Sequence, residues 1–277
     1  MLRSAKLAPT VEYGVLDRFW READDLGYHA IWTYDHFYGL DDLDRPTLEG
    51  WTTLAAMAAV TRRARVGCMV TGVTYRHPAL LANMAVTVDH ISGGRLEMGM
   101  GAAWHVPEHH DYGFPFPSAG RRIAMLDEAC EIMRGLWTEE RVDHEGPNWT
   151  LQGARCIPKP VQARLPIVIG GIGERKTLRV VARHADEWNA PGLGMEPSEF
   201  ARLSGVLDEH CGAVGREPSE IRRSVQLFIF PSDPEQTDRL PDTLAAFEEA
   251  GAEHAVLSFY GPPTADLLRR LAPGEQG

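Results

Sequence analysis

The chain has 277 residues, 44% hydrophobic and 24% charged, with 39 Asp and Glu against 28 Lys and Arg for a formal net charge of −11. That balance excludes the basic field of a nucleic-acid binder and disfavours an anionic membrane surface, and no apolar run approaches the ~20 residues of a membrane span. The length suits one α/β barrel or two smaller domains.

In chain order, Ala5–Pro9 is expected as a short first strand. Leu16, Phe19, Trp20, Ala23 and Leu26 recur at helical spacing up to a stop at Gly27. Tyr28–Tyr34 is a strand ending in Asp35-His36, followed by an acidic loop from Gly39 to Thr47. Trp51–Val60 is an Ala-rich helix and Arg65–Thr71 a strand. Pro78 suits a first helical turn, Leu80, Leu81, Met84 and Val88 keep helical spacing, and Ser92-Gly93-Gly94 stops that helix before a strand at Arg95–Gly101. Strand, crossover helix and strand within about thirty residues form a βαβ unit with parallel strands.

The stretch after Gly101, AAWHVPEHHDYGFPFPSAGR, reads as a loop too long for a mere connector. Arg122–Trp137 is helical. Val142–Val161 reads as an irregular excursion, with a small hairpin around Glu145-Gly146-Pro147 lying over a barrel mouth. Pro166–Gly170 is a strand, Glu174–His184 a helix and Asp186–Ala190 a strand. Helices at Pro197–Val214, Pro234–Ala250 and Thr264–Leu271 alternate with strands at Ile221–Phe230 and Glu253–Phe259. About eight strand–helix pairs predict a single-domain (β/α)₈ TIM barrel over residues 1–277, with an insertion near residues 138–165. Cys68, Cys130, Cys156 and Cys211 are scattered with no CxxC. With an N-terminus too weakly apolar for a signal peptide, this predicts reduced thiols and a cytoplasmic protein.

In parallel α/β architectures the carboxyl ends of strands carry the chemistry. His36 stands at such an end as a general acid, general base or ring-contacting group, with Asp35 beside it; an ordinary loop His oriented by an Asp is the competing reading. Gly170-Gly171-Ile172-Gly173, between a strand and a helix start, offers free backbone N–H groups to a phosphate, and Arg175 or Lys176 would add charge. Gly101, Ala102 and Ala103, and Thr71-Gly72, allow close backbone approach to a ligand. His105, Glu108, His109 and His110 invite a metal reading, but Pro107 interrupts them and HEXXH is absent, so a polar loop face is expected and no metal.

YHAIWTYDHF, RVGCMVTGVTYRHPALLANMAVTVDHISGGRLEMGMGAAW, YGFPFPSAGRR and PIVIGGIGERKTLRVVARHADEWN stand in the same order as in the luciferase-like monooxygenase superfamily. The chain resembles its branch of deazaflavin-dependent oxidoreductases over roughly residues 12 to 230. The resemblance implies a bacterial luciferase-like barrel with coenzyme F-420 in its C-terminal mouth, FMN being the alternative, and His36 near the reactive face of the ring. It implies a bulged third strand with a non-prolyl cis peptide at about Cys68-Met69, whose backbone presses on the cofactor. It also implies a phosphate held by Gly170, Gly171 and Gly173 with the Ala102-Ala103 backbone. Some relatives carry a proton-donating glutamate where Trp104 stands here, so no carboxylate acid is expected from that position. Trp104 and His105 are expected in the substrate pocket. The expected activity is hydride transfer to a small C=C, C=N or carbonyl substrate by a homodimer; an FMN-dependent monooxygenase and a non-catalytic flavin-binding protein are the alternatives.

Overall fold

The computed structural model describes residues 1–192 and 194–274. It is a closed barrel of parallel strands wrapped by helices. In order it runs β1 (Leu2–Leu7), α1 (Tyr13–Asp25), β2 (Ala30–Thr33), α2 (Gly50–Val60), β3 (Arg65–Cys68), β4 (Thr71–Gly72), α3 (Pro78–Ser92) and β5 (Leu96–Gly101). Then come α4 (Val106–Tyr112), α5 (Ala119–Thr138), the hairpin β6 (Val142–Glu145) and β7 (Thr150–Ala154), β8 (Ile167–Gly170) and α6 (Thr177–His184). β9 (Glu187–Pro191), α7 (Pro197–Val214), β10 (Arg222–Ile229), α8 (Pro234–Glu249), β11 (His254–Phe259) and α9 (Ala265–Leu271) complete it.

The sheet order β3-β2-β1-β11-β10-β9-β8-β5-β4 closes because β5 pairs with both β3 and β4. β3 and β4 are one barrel strand interrupted by a bulge: the register against β5 slips by one residue between Gly67↔Glu97 and Thr71↔Met100. The non-prolyl cis peptide lies in this bulge at Met69–Val70, one residue beyond the position implied at Cys68-Met69.

The spacing marks the buried face of α1 but only part of that of α3, where Leu81 and Val88 are buried while Leu80 is exposed and Met84 half-buried. α1 buries Leu16, Phe19, Trp20 and Ala23. α3 opens with Pro78 behind His77, whose Nδ1 accepts from Ala79 N, and it ends at Gly93 with φ 68°. One core fills the space between helices and strands, and a second, small cluster of Ala30, Trp32, Met69, Val168 and Val256 plugs the barrel interior. Loops are anchored by carboxylates. Asp24 accepts from the backbone N–H groups of Arg62, Arg63 and Ala64 at 2.7–2.9 Å, holding the turn that feeds β3. Burial works against this carboxylate, but the three donors hold its pKa below the ordinary value. Asp24→Ala should therefore cost about 3 kcal/mol in urea unfolding, because three backbone donors lose a charged acceptor.

Three expectations change. The first strand begins at Leu2, before the expected Ala5. The stretch after Gly101 is not all loop: Pro107 sits in the first turn of α4, where a proline needs no intrahelical partner, rather than breaking a helix. The 138–165 insertion does hold a hairpin, but it lies on the outside of α5 and not over the mouth. Glu128 of α5 accepts from Asn148 N, Asn148 Nδ2 and Trp149 N and contacts His144, and none of the described residues 138–165 lines the central cavity.

Candidate functional site

At the carboxyl ends of the strands lies a cavity of about 520 Å³, a size that suits a small-molecule or cofactor site. Its walls include Lys6, Asp35, His36, Met69, Val70, Gly101, Ala102, Ala103, Trp104, Gly170 and Gly171.

His36 follows β2, and the residue that fixes it is Glu108. α4 is short, and its helical spacing turns Glu108 and His109 inward while Val106 and Tyr112 stay exposed. Glu108 is fully buried. Its Oε1 accepts from Phe37 N at 2.6 Å and Tyr38 N at 3.1 Å; its Oε2 accepts from Tyr75 Oη at 2.6 Å and faces His36 Nδ1 at 3.0 Å. Burial alone would raise the Glu108 pKa, but these donors, led by His36, bring it down to about 2. An ionised acceptor requires the proton on His36 Nδ1, which leaves Nε2 without a partner among the described residues and on the cavity side. Tyr34 and Trp104 pack edge-on against the ring, at 4.9 and 5.6 Å between centroids. Trp104 stands on the rim, 60% exposed. His105, expected in the substrate pocket, caps α4 from behind His36 and is not part of the cavity wall.

Asp35 takes a different place from its neighbour. Its carboxylate pairs with Arg76 at 2.7 Å and accepts from Gly72 N, tying the end of β2 to β4. Arg76 also reaches Glu49, the side chain that caps α2. Burial disfavours the guanidinium, yet the two carboxylates more than offset this and raise its pKa. Cys68 and Thr71 are buried behind the wall rather than on it: Thr71 Oγ1 accepts from Trp51 Nε1, and burial pushes the Cys68 thiol up and keeps it neutral. Met69 and Val70 present the wall itself.

The glycines make room along that wall. A Cβ built on Gly101 would overlap Val70 Cγ2, and Gly171 has φ 137°, a conformation side chains resist. Ala103 adopts φ 56°, turning the chain out of β5. Gly170, Gly171 and Thr177 line the cavity, whereas Ile172 is exposed and it and Gly173 lie off the wall. The helix starts only at Thr177, later than the expected Glu174, so the turn and not the helix end carries the glycines. Arg175 and Lys176 point to solvent. The cation beside the glycine turns is Arg122, whose Nε donates to Ala102 O and whose guanidinium lies 3.9 Å over Phe116. Backbone room plus one guanidinium fits a flat ring with a phosphate-bearing tail.

His36, His105 and Glu108 bring ligand atoms within 4.8 Å of one another. An ion there would have to displace donors from Glu108, whose two oxygens already face four. His109, four residues from His105, turns instead to Thr74 Oγ1 and to the His105 carbonyl, and His110 pairs with Asp111 at the surface. Sequence reasoning set Glu108 aside with the histidines around it. The missed signal was the helical spacing of buried 105, 108 and 109 once Pro107 is read as a helix start.

A family model described as luciferase-like monooxygenase matches residues 3–261. An uncharacterized protein of Mycobacterium tuberculosis (strain ATCC 25618 / H37Rv) is 34% identical over 76% of this chain and 69% of its own length. Pyrimidine monooxygenase RutA of Stutzerimonas stutzeri (strain A1501) is 30% identical over 81% of this chain and 61% of its own length. Among solved structures, an F-420-dependent secondary alcohol dehydrogenase in complex with an F-420–acetone adduct superposes with TM-score 0.83 and 18% identity, covering 97% of both chains. No helix among the described residues is long and apolar enough to cross a membrane.

Proposed function

Because the chain belongs to the luciferase-like monooxygenase family, we propose that it is an oxidoreductase passing hydride between coenzyme F-420 and a small organic substrate. The observation that carries this reading is His36, held in one tautomer by Glu108 on the cavity wall beside the Met69–Val70 bulge. When bound, the cofactor supplies the two-electron centre. Everything else is the work of the chain. Met69 and Val70 back the ring, Gly101–Ala103 and Gly170–Gly171 with Arg122 hold its phosphate, and the rim at Trp104 limits water. His36 Nε2 takes up or delivers the proton that accompanies substrate oxidation or reduction, and Glu108 stabilises the imidazolium that forms.

FMN is the alternative occupant, since it shares the ring shape and the first phosphate, and with it comes monooxygenase chemistry. Fluorescence titration of the purified protein with oxidised F-420 and separately with FMN separates them. Saturable tight binding of F-420 with weak FMN binding is the expected result. Tight FMN binding alone overturns the hydride-transfer reading, and binding of neither removes the cofactor site.

A further inference from the structure

Lys6 is a buried ammonium without a counter-charge. It projects from β1 into the cavity and is 6% exposed. Its Nζ donates to the Met69 carbonyl at 2.7 Å and lies 3.4 Å from Gln226 Oε1. Among the described residues no carboxylate pairs with it, whereas the carboxylates near the wall are already taken, Asp35 by Arg76 and Glu108 by His36; Arg122, the other wall cation without a carboxylate, is held by the Ala102 and Pro117 carbonyls and stands beside the glycine turns. Asn189, Gln226 and Ser258 join it on the cavity wall. These four come from the neighbouring strands β1, β11, β10 and β9, and the Lys6 ammonium reaches from them to the Met69 carbonyl, so it lies where this polar part of the wall meets the bulge. Beyond the bulge, the wall on these strands thus offers neutral polar groups around the one ammonium.

A positive charge taken out of water is costly unless something offsets it. Holding the Met69 carbonyl does not require a charge, since a neutral amide donates as well. We propose that Lys6, with the Gln226 carboxamide beside it, is a substrate subsite for a carboxylate, so that the substrate is a small organic anion. The assignment rests on the reading above that the cofactor ring lies against Met69–Val70, which leaves the polar part of the wall beyond the bulge for substrate. Burial lowers the Lys6 pKa to about 8, so the ammonium is mostly charged at neutral pH and an anion beside it favours that form. The ionisable groups facing Nζ are Tyr34, just after β2, and Cys68 from β3, and burial keeps both neutral. Anion affinity should accordingly fall as pH rises through about 8.

The test uses benzoate and its neutral isostere benzamide as probes, by calorimetry, on the protein alone and on the protein saturated with whichever cofactor binds. Benzoate should bind at least about tenfold more tightly than benzamide, and Lys6→Met should remove that difference while Lys6→Arg keeps it. Lys6→Met should also melt at a higher temperature than the parent chain, because a buried charge is replaced by an apolar chain of similar length; that separates a lost subsite from a lost fold. Equal benzoate affinity in Lys6→Met, no preference over benzamide, or no benzoate binding overturns the proposal. So does displacement of benzoate by the cofactor, which would give the charge to the cofactor instead. If neither F-420 nor FMN binds but benzoate binding still depends on Lys6, the cofactor reading falls and the anion subsite stands.

Discussion

Glu108→Ala should destabilise the protein by about 3–5 kcal/mol, since it strips four donors of a buried, ionised acceptor. Two of those donors, Phe37 N and Tyr38 N, belong to the loop that follows His36, and the other two are His36 and Tyr75 themselves. The loop and the ring should therefore loosen together. The pH dependence gives an independent check. A carboxylate whose folded pKa lies near 2, below its unfolded value, contributes stability that is complete above the unfolded value and disappears as pH falls towards 2. A displacement of that size corresponds to roughly 3 kcal/mol. Urea unfolding between pH 5 and pH 2 should show a shallower acid decline in Glu108→Gln than in the parent chain; parallel curves would sink the assignment. Glu108→Gln also places an amide where a carboxylate faced His36 Nδ1. The imidazole can then no longer be locked with its proton on Nδ1, and turnover of a true substrate should fall by about 10²-fold with the acid limb of the rate profile displaced.

The second large effect is expected at Gly99. A Cβ there would overlap the carbonyl oxygen of Cys68 and crowd its carbonyl carbon at 3.0 Å. Both neighbours are backbone of the strand entering the bulge, so neither side chain rotation nor local repacking relieves the clash. Gly99→Ala should cost more than about 4 kcal/mol or prevent folding, the range reserved for forced displacement of packed backbone. Gly101→Ala makes a useful contrast. Its added methyl would overlap Val70 Cγ2, a side-chain atom, and would meet Val70 Cβ and Thr71 O only at 3.5 and 4.0 Å, so the barrel should survive while the cavity wall moves and cofactor affinity drops. Gly205, inside α7 with no atom within 4 Å of a built Cβ, serves as control: Gly205→Ala should stabilise by about 0.5–1 kcal/mol. Thermal melts of the three variants would show this order; a Gly99→Ala protein as stable as the parent would refute the close packing of β5 on the bulge.

The alternation of strands and helices was legible because period and punctuation are local. Leu16, Phe19, Trp20 and Ala23 mark a buried helical face by spacing alone, and Gly27, Gly93 and Gly215 stop helices at positive φ whatever surrounds them. The barrel followed from that alternation, as did His36 at a strand end and the glycine turns at Gly101 and Gly170. Three things required the folded chain. Pro107 ends one helix or starts another according to what precedes it, and only packing against Tyr75 and Phe37 shows that it starts α4. Asp35 and Glu108 are both carboxylates near His36 in sequence or space, yet the adjacent one serves Arg76 and the one 72 residues away serves His36. Lys6 reads as an ordinary residue of a first strand, and its lack of a paired carboxylate among the described residues becomes visible only when eight strands close around it. Propensity and capping act over a few residues and leave their mark in the string of letters. Ion pairing and cavity lining depend on which strand ends the barrel brings together, and the closure that brings them together is carried by pairings far apart in the chain.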